Sequence, residues 1–324
     1  MEAETRRIVR KIKSEIAEAN IPEIEKFNLL SKIVRLEGLE LNIMITGVTG
    51  SGKRSTINAL FNTEVGFGVE REPLSISKFR LDNFVVWEAP GLVDRGVVDG
   101  RCTKNITNKL LEKDSDGDML IDLVIVILDG STEDWETSYE LINDVIIPAL
   151  GENKENRLLI AINKVDMAMS GQCWRFEVNR PNEELTVFLD EKLEVVKKRI
   201  KEETGIDTHP IYYSAGYKKD NKIQKPYRLV EFWKYIFNAV PRSKRIISVD
   251  IMQRNTEIWE DDISVSTMIS QCVFYEKFII GDIFGNIIGN RLGNIIGSII
   301  DSASSLAGVI QSFSGDSQYN KKEK

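Results

Sequence analysis

Histidine is almost missing from this chain: His209 is the one residue of its kind among 324. Its scarcity removes histidine-based metal centres and argues against a Ser-His nucleophile. Cysteine is scarce as well. Cys102, Cys173 and Cys272 lie scattered at no metal-like spacing, which fits a reducing cytosol and not a disulfide framework. An excess of positive charge is also lacking, since 43 Lys and Arg stand against 50 Asp and Glu for a formal charge of −7. Nucleic acid or a ribosome stays open as a partner, but charge does not point to it. The first residues carry charges throughout and no apolar stretch of signal-peptide type, so the expected location is the cytoplasm.

What is present begins with a phosphate-binding loop. The apolar run Leu41–Ile45 leads into Gly47-Val48-Thr49-Gly50-Ser51-Gly52-Lys53, and Ile57-Asn58-Ala59-Leu60-Phe61 follows. Strand, glycine-rich loop and helix in that order make the G-x-x-x-x-G-K pattern meaningful. Glycines let successive N–H groups point inward, the helix N-terminus adds partial positive charge, and Lys53 supplies a full one. The β- and γ-phosphates of a nucleotide suit such a cradle. At the next position, where a Ser or Thr hydroxyl would ligate Mg²⁺, stands Arg54, with Ser55 displaced by one.

Alternation of strand and helix patterns over 40–240 implies an α/β fold, a mostly parallel sheet with helices on both faces. Its expected strands are Leu41–Ile45, Lys78–Leu81 and Phe84–Trp87 as a hairpin, Leu120–Leu128, Arg157–Ile162 and Pro210–Tyr213. Helices are expected over Ser138–Leu150, Glu183–Glu203 and Leu229–Ala239. Residues 1–39 read as a helical extension with apolar stripes Ile8, Ile12, Ile16 and Ile24, Phe27, Leu30, Ile33, Val34. After a helical linker, 241–277, glycine recurs every four residues from Gly281 to Gly297 within the segment 278–313, and 314–324 is a polar tail. Four-residue glycine spacing lets helix backbones approach closely, as in a glycine zipper. Asp282, Arg291 and Asp301 interrupt that segment before it reaches the ~18 uncharged residues of a simple span. Self-association or a peripheral place at the inner face of a membrane is the expectation for 278–313, against a hairpin packed on its own protein or a disordered tail.

Three further stretches fall at strand ends, where ligands of such sheets bind. Asn163-Lys164-Val165-Asp166 follows the strand Arg157–Ile162. A carboxylate at Asp166 can accept two hydrogen bonds from guanine, at N1–H and the exocyclic amine, which adenine does not offer. Asn163 would tie the base edge to the phosphate loop, and the aliphatic stem of Lys164 would cover the ring. Ser214-Ala215-Gly216 follows Pro210–Tyr213, where the Ala215 N–H could donate to guanine O6. Trp87-Glu88-Ala89-Pro90-Gly91 places Gly91 N–H toward a γ-phosphate and Glu88 toward Mg²⁺ through water.

With these four stretches in order, the chain resembles the translation-factor-type P-loop GTPases and, within them, the Era/TrmE-like group. It looks most like the bacterial prophage GTPases of the YfjP type, with a G domain of the ribosome-binding GTPase kind. That resemblance runs through Asp129-Gly130-Ser131, Glu152–Arg157 and Ile211–Tyr217, and covers roughly 40–240. It implies GTP and GDP as ligands, Mg²⁺ as cofactor, GTP hydrolysis to GDP and phosphate, and switch regions near 62–77 and 91–118. Three departures gather on the metal and γ-phosphate side. Arg54 replaces the hydroxyl residue, Glu88 replaces the family aspartate, and the switch threonine is absent, leaving Ser75 as the nearest substitute. Weak hydrolysis is therefore expected, with Lys53, Gly91 and Ser75 as its residues and Glu88 and Ser75 as the remaining metal candidates. The competing expectation is a pseudo-GTPase scaffold, or a membrane-acting C-terminal segment restrained by the G domain.

Overall fold

The computed structural model describes residues 38–61, 63, 75–81, 83–91, 100–151, 154–219, 222–245 and 247–248, with scattered positions between 13 and 30. Glu40–Pro241 form one compact unit, and Met1–Leu39 with Arg242–Lys324 form a second. In the second unit Ile16 is buried, whereas Ile24 and Phe27 of the expected apolar stripe are each 67% exposed. The glycine-repeat segment 278–313 and the polar tail lie outside the described residues.

Six strands make the main sheet of the first unit: β1 (Leu41–Thr46), β2 (Ser77–Leu81), β3 (Phe84–Glu88), β4 (Leu123–Asp129), β5 (Leu158–Asn163) and, after two strands of a small hairpin, β8 (Ile211–Tyr212). Their order is β2-β3-β1-β4-β5-β8. All neighbours run parallel except β2, which pairs antiparallel with β3 so that Leu81 faces Phe84. Every residue of β1, β3 and β5 is buried, the near-continuous apolar pattern of strands covered on both faces. With the phosphate loop at the carboxyl end of central β1, this is the P-loop NTPase fold of the G-domain kind.

Helix α1 (Lys53–Phe61) leaves the loop, and α2 (Gly100–Leu111) buries Cys102, Ile106 and Leu110 at a four-residue spacing. The third helix, α3, begins as Glu136–Glu140, widens to a π-helical stretch at Leu141–Ile146 and ends as Ile147–Ala149. After the short α4 (Lys154–Arg157) comes α5 (Glu183–Thr204), whose Asn182 side chain caps Leu185 N–H at 2.9 Å. It stops at Gly205, in the left-handed conformation with φ +74°. The last, α6 (Leu229–Ala239), coincides with its expected span and buries Phe232, Trp233, Ile236 and Phe237. Trp233 meets Phe61 of α1 and Phe84 of β3 at centroid distances of 5.7 and 6.0 Å. The aromatic group of α6 is thus core packing that anchors the helix behind the phosphate loop.

Two small hairpins were not expected. β6 (Trp174–Arg175) pairs with β7 (Arg180–Pro181), and β9 (Tyr217–Lys219) pairs with β10 (Lys222–Gln224). Asn179 Nδ2 joins them by donating to the carbonyls of Lys225 and Pro226 at 3.0 and 3.1 Å. Among the described residues, no helix is long and apolar enough to cross a membrane.

Candidate nucleotide-binding site

The phosphate loop is shaped by its glycines. Gly47, Gly50 and Gly52 have φ of +141°, +89° and +92°, where a side chain is strained. Gly47 additionally has no room, since a Cβ there would lie 2.3 Å from the Ile127 carbonyl. The loop closes on itself through Ser51 N–H to Val48 O at 3.2 Å, while Thr49 and Gly50 stay exposed at its tip. Lys53 reaches back across the cradle, its Nζ donating to Gly47 O and Val48 O at 3.0 Å each. Burial pulls its ammonium down to about 8, while the charges of Glu88 and Cys102 oppose the drop and that of Arg54 adds to it. A cation so placed gains from any anion that replaces the water it has lost. Ser51 Oγ is fully buried without a hydrogen-bond partner, an open polar atom within the same cradle.

Behind the loop, Thr56 of α1 donates to Gly52 O at 2.9 Å and meets the Tyr213 hydroxyl at 2.6 Å. Tyr213 is fully buried, which raises its pKa far above the usual phenol value, and the pair ties α1 to the end of β8. Tyr213 is not among the residues the sequence motifs mark. Its signal was the position just before Ser214, at a strand end facing the first helix.

Asn163, 2% exposed at the end of β5, joins two loops. Its Nδ2 donates to Ser51 O at 3.0 Å, and its Oδ1 accepts from Ala215 N–H at 3.0 Å. The tie to the phosphate loop matches the expectation for this residue. The second bond differs from it: the Ala215 N–H expected to face guanine O6 is held by Asn163. The loop bearing Ala215 is fixed further by the paired bonds between Ser214 and Tyr227, and by Gly216 N–H on Ser214 Oγ at 3.2 Å. Gly52 must be glycine for the same contact, because a Cβ would lie 2.2 Å from Asn163 Nδ2.

Lys164 adopts the left-handed conformation, with φ +60°, and its ammonium pairs with Asp129 at the end of β4. Asp129 also accepts from Ser131 N–H at 3.0 Å, so the Asp129-Gly130-Ser131 run positions the lysine stem beside Gly52. Asp166 is the contrasting acid. It is 3% exposed, and among the described residues its carboxylate takes no hydrogen bond. A ligand carrying two adjacent N–H groups would give this carboxylate the donors it lacks among the described residues.

On the opposite flank β3 ends at Glu88, beside Ile45 on β1 and Ser77 on β2. Arg54 Nε donates to both Glu88 carboxylate oxygens, at 3.2 and 3.3 Å. Glu88, expected to face Mg²⁺, is thus engaged by the very residue that replaced the hydroxyl ligand. Gly91 sits against the loop tip, where a Cβ would meet Thr49 Oγ1, Cα and N at 2.5, 2.8 and 2.9 Å. Ser75 is exposed two residues ahead of β2, and Ser55 is half-buried on α1. Residues 64–74 and 92–99 of the expected switch regions lie outside the described residues, and the second region also contains α2.

Mg²⁺ is the metal this fold implies, and the donor set does not suit it. A guanidinium stands at the hydroxyl position, it repels a cation, and Glu88, the carboxylate expected to face the metal, is already its partner. Among the described residues no group of three His, Cys, Asp or Glu side chains could hold a metal ion. The acidic run Asp114–Asp118 forms a closed turn, in which Asp114 Oδ1 accepts from the N–H groups of Asp116 and Asp118 at 3.0 Å each.

No family model and no curated protein matches this chain. Among solved structures, it is similar to Toc33 from Arabidopsis thaliana in complex with Mg²⁺ and GMPPNP, at 15% identity over 62% of this chain and 84% of that one, TM-score 0.41. It is similar also to a probable GTP-binding protein engB, at 20% identity over 61% of this chain and 97% of that one, TM-score 0.39. A third likeness is to the FeoB G-domain from Methanococcus jannaschii, at 21% identity over 62% and 98% of the two chains, TM-score 0.34. These are likenesses of chain course, and the functional reading rests on the residues of the site.

Proposed function

We propose that this protein binds guanine nucleotides, GTP and GDP, between the phosphate loop and the Asn163–Asp166 turn, and hydrolyses GTP weakly. The observation that carries the reading is Asp166, a residue 3% exposed whose carboxylate takes no hydrogen bond among the described residues, two residues from a lysine and three from an asparagine already tied to the phosphate loop. Guanine offers adjacent N–H groups at N1 and the exocyclic amine, whereas adenine offers an unprotonated N1. Lys53 and the N–H groups of Thr49–Arg54 would hold the phosphates, Gly91 and Ser75 would meet the γ-phosphate, and the Lys164 stem would cover the base. Ala215 would act through Asn163, and Ser214 would brace its loop. Weak turnover follows from the engaged Glu88, since phosphoryl transfer leans on charge neutralisation and an oriented water. The same pairing favours, as a second reading, a scaffold that holds nucleotide without turnover. In either case the extensions 1–39 and 241–277, expected from the sequence to be helical, and the segment 278–313 would answer to the nucleotide state of the 40–240 domain. The proposal includes a place in the YfjP-type prophage group, on the motif resemblance over roughly 40–240.

Calorimetric titration with GDP, ADP and xanthosine diphosphate tests the base reading, using Asp166→Asn as the variant. Removing two charge-assisted bonds should weaken GDP by about 100-fold. The asparagine amide should in turn improve xanthosine diphosphate, whose C2 oxygen can accept its N–H. Equal affinity of the parent protein for GDP and ADP would refute guanine selection.

A further inference from the structure

Arg54 and Glu88 each depart from what a metal-dependent phosphate loop needs, yet they meet each other. One guanidinium N–H, at Nε, spans the two carboxylate oxygens at 3.2 and 3.3 Å. The terminal amino groups of Arg54 take no hydrogen bond among the described residues, and its side chain is 36% exposed against 8% for Glu88. The acid is thus the buried anchor and the guanidinium the accessible end. An arginine has five N–H donors in a planar fork that suits phosphate oxygens. It stands one residue after Lys53, on the first turn of α1, whose N–H groups already favour an anion. Glu88, held at the end of β3 by the β1 register, fixes the guanidinium beside the cradle as it could fix a hydrated cation.

We propose that the Arg54–Glu88 pair takes the place of the divalent cation, so that guanine nucleotide binds here without metal. The proposal rests on the guanine-nucleotide reading and adds the source of charge. The terminal N–H groups of Arg54 supply donors where metal-bound waters would otherwise stand. Glu88 keeps the guanidinium from swinging to solvent. Arg54 and Glu88 carry opposite charges, so the substitution offers less net positive charge than a divalent cation facing one acid. Binding is then directed more by N–H donors than by charge, and the γ-phosphate adds little to affinity over GDP.

The test is titration of the full-length protein with GDP and with GMPPNP, each in EDTA and in excess Mg²⁺. Affinities equal within about threefold, or tighter in EDTA, are expected. Tightening by more than about threefold on adding Mg²⁺ overturns the proposal and leaves the nucleotide reading standing. Absence of binding in both buffers overturns that reading and the proposal with it. Arg54→Thr puts a hydroxyl at position 54 and removes the guanidinium from Glu88, and it should become metal-dependent, gaining about tenfold or more from Mg²⁺ while losing affinity in EDTA. A folded Arg54→Thr protein that binds nucleotide equally well in both buffers overturns the role given to Arg54. The wild-type comparison decides the matter should that variant not fold.

Discussion

Lys53 makes nucleotide binding pH-dependent in a range where lysines rarely titrate. Lys53 is 8% exposed, and its ammonium is drawn from the ordinary 10.5 to about 8, chiefly by burial. Among the described residues, Glu88 and Cys102 oppose that drop and Arg54 adds to it. A phosphate beside the ammonium favours its charged form and restores an ordinary lysine value. At pH 8 the free site is half protonated and the bound site fully so, and binding GDP should therefore take up about half a proton per site. The terminal phosphate, whose second ionisation lies near 6, is past its own titration there. Affinity should fall about threefold between pH 7.5 and 8.5, following the protonated fraction of the free site. Calorimetry at pH 8 in two buffers of different ionisation enthalpy measures the proton count directly. Lys53→Arg, charged throughout, is the control and should show no uptake. Measurable binding with uptake below about a tenth of a proton, or affinity that rises with pH, would refute the assignment. Stability of the ligand-free protein carries the opposite sign. Between pH 8 and 10.5 the unfolded chain binds more protons at Lys53 than the native one, so this group raises stability as pH climbs, by on the order of 3 kcal/mol across the window.

Gly52→Ala places a Cβ against Asn163 Nδ2 and strains a left-handed backbone, so it should lose about 2–4 kcal/mol in denaturant unfolding; a loss below about 1 would contradict the geometry. Asn163→Ala unties the phosphate loop from the loop bearing Ala215 and should cost about 1–3 kcal/mol of stability, with nucleotide affinity falling alongside. Tyr213→Phe removes a buried hydroxyl contact but leaves Thr56 bonded to Gly52, so about 1 kcal/mol is expected from thermal unfolding, with GDP affinity nearly unchanged.

Most of the main sheet could be read from the sequence because its strands are buried on both faces and announce themselves as apolar runs. β4 and β5 fall within a few residues of Leu120–Leu128 and Arg157–Ile162, and α6 matches its expected span. Elements held by other forces escaped. The β9–β10 hairpin is rich in lysine and shows no alternation, although Asp220-Asn221 between its strands is a turn signal. Along α3, the π-helical stretch shifts the register by a residue that a 3.6-residue period does not reveal. Cys102, Ile106 and Leu110 do carry the helical period of α2, but the family resemblance places the stretch inside an expected switch region, which hides it.

In the site, the parts fixed by local chemistry were legible and the pairings were not. Glycine at 47, 50 and 52, lysine at 53 and the Asn163–Asp166 run each declare a backbone or bonding requirement on their own. The partner of Asn163 Oδ1 is another matter, since 52 residues separate it from Ala215. Arg54 and Glu88, 34 residues apart, read singly as two losses on the metal side, one missing hydroxyl and one acid too long by a methylene. That extra methylene lets the carboxylate extend from the end of β3 to a guanidinium on α1, which a shorter acid would approach less closely. Reverting Glu88 to aspartate alone would then weaken the pair without recreating a metal site. Only Arg54→Thr together with Glu88→Asp restores both donors, so Mg²⁺ dependence should be strongest in the double variant and should exceed the product of the single effects.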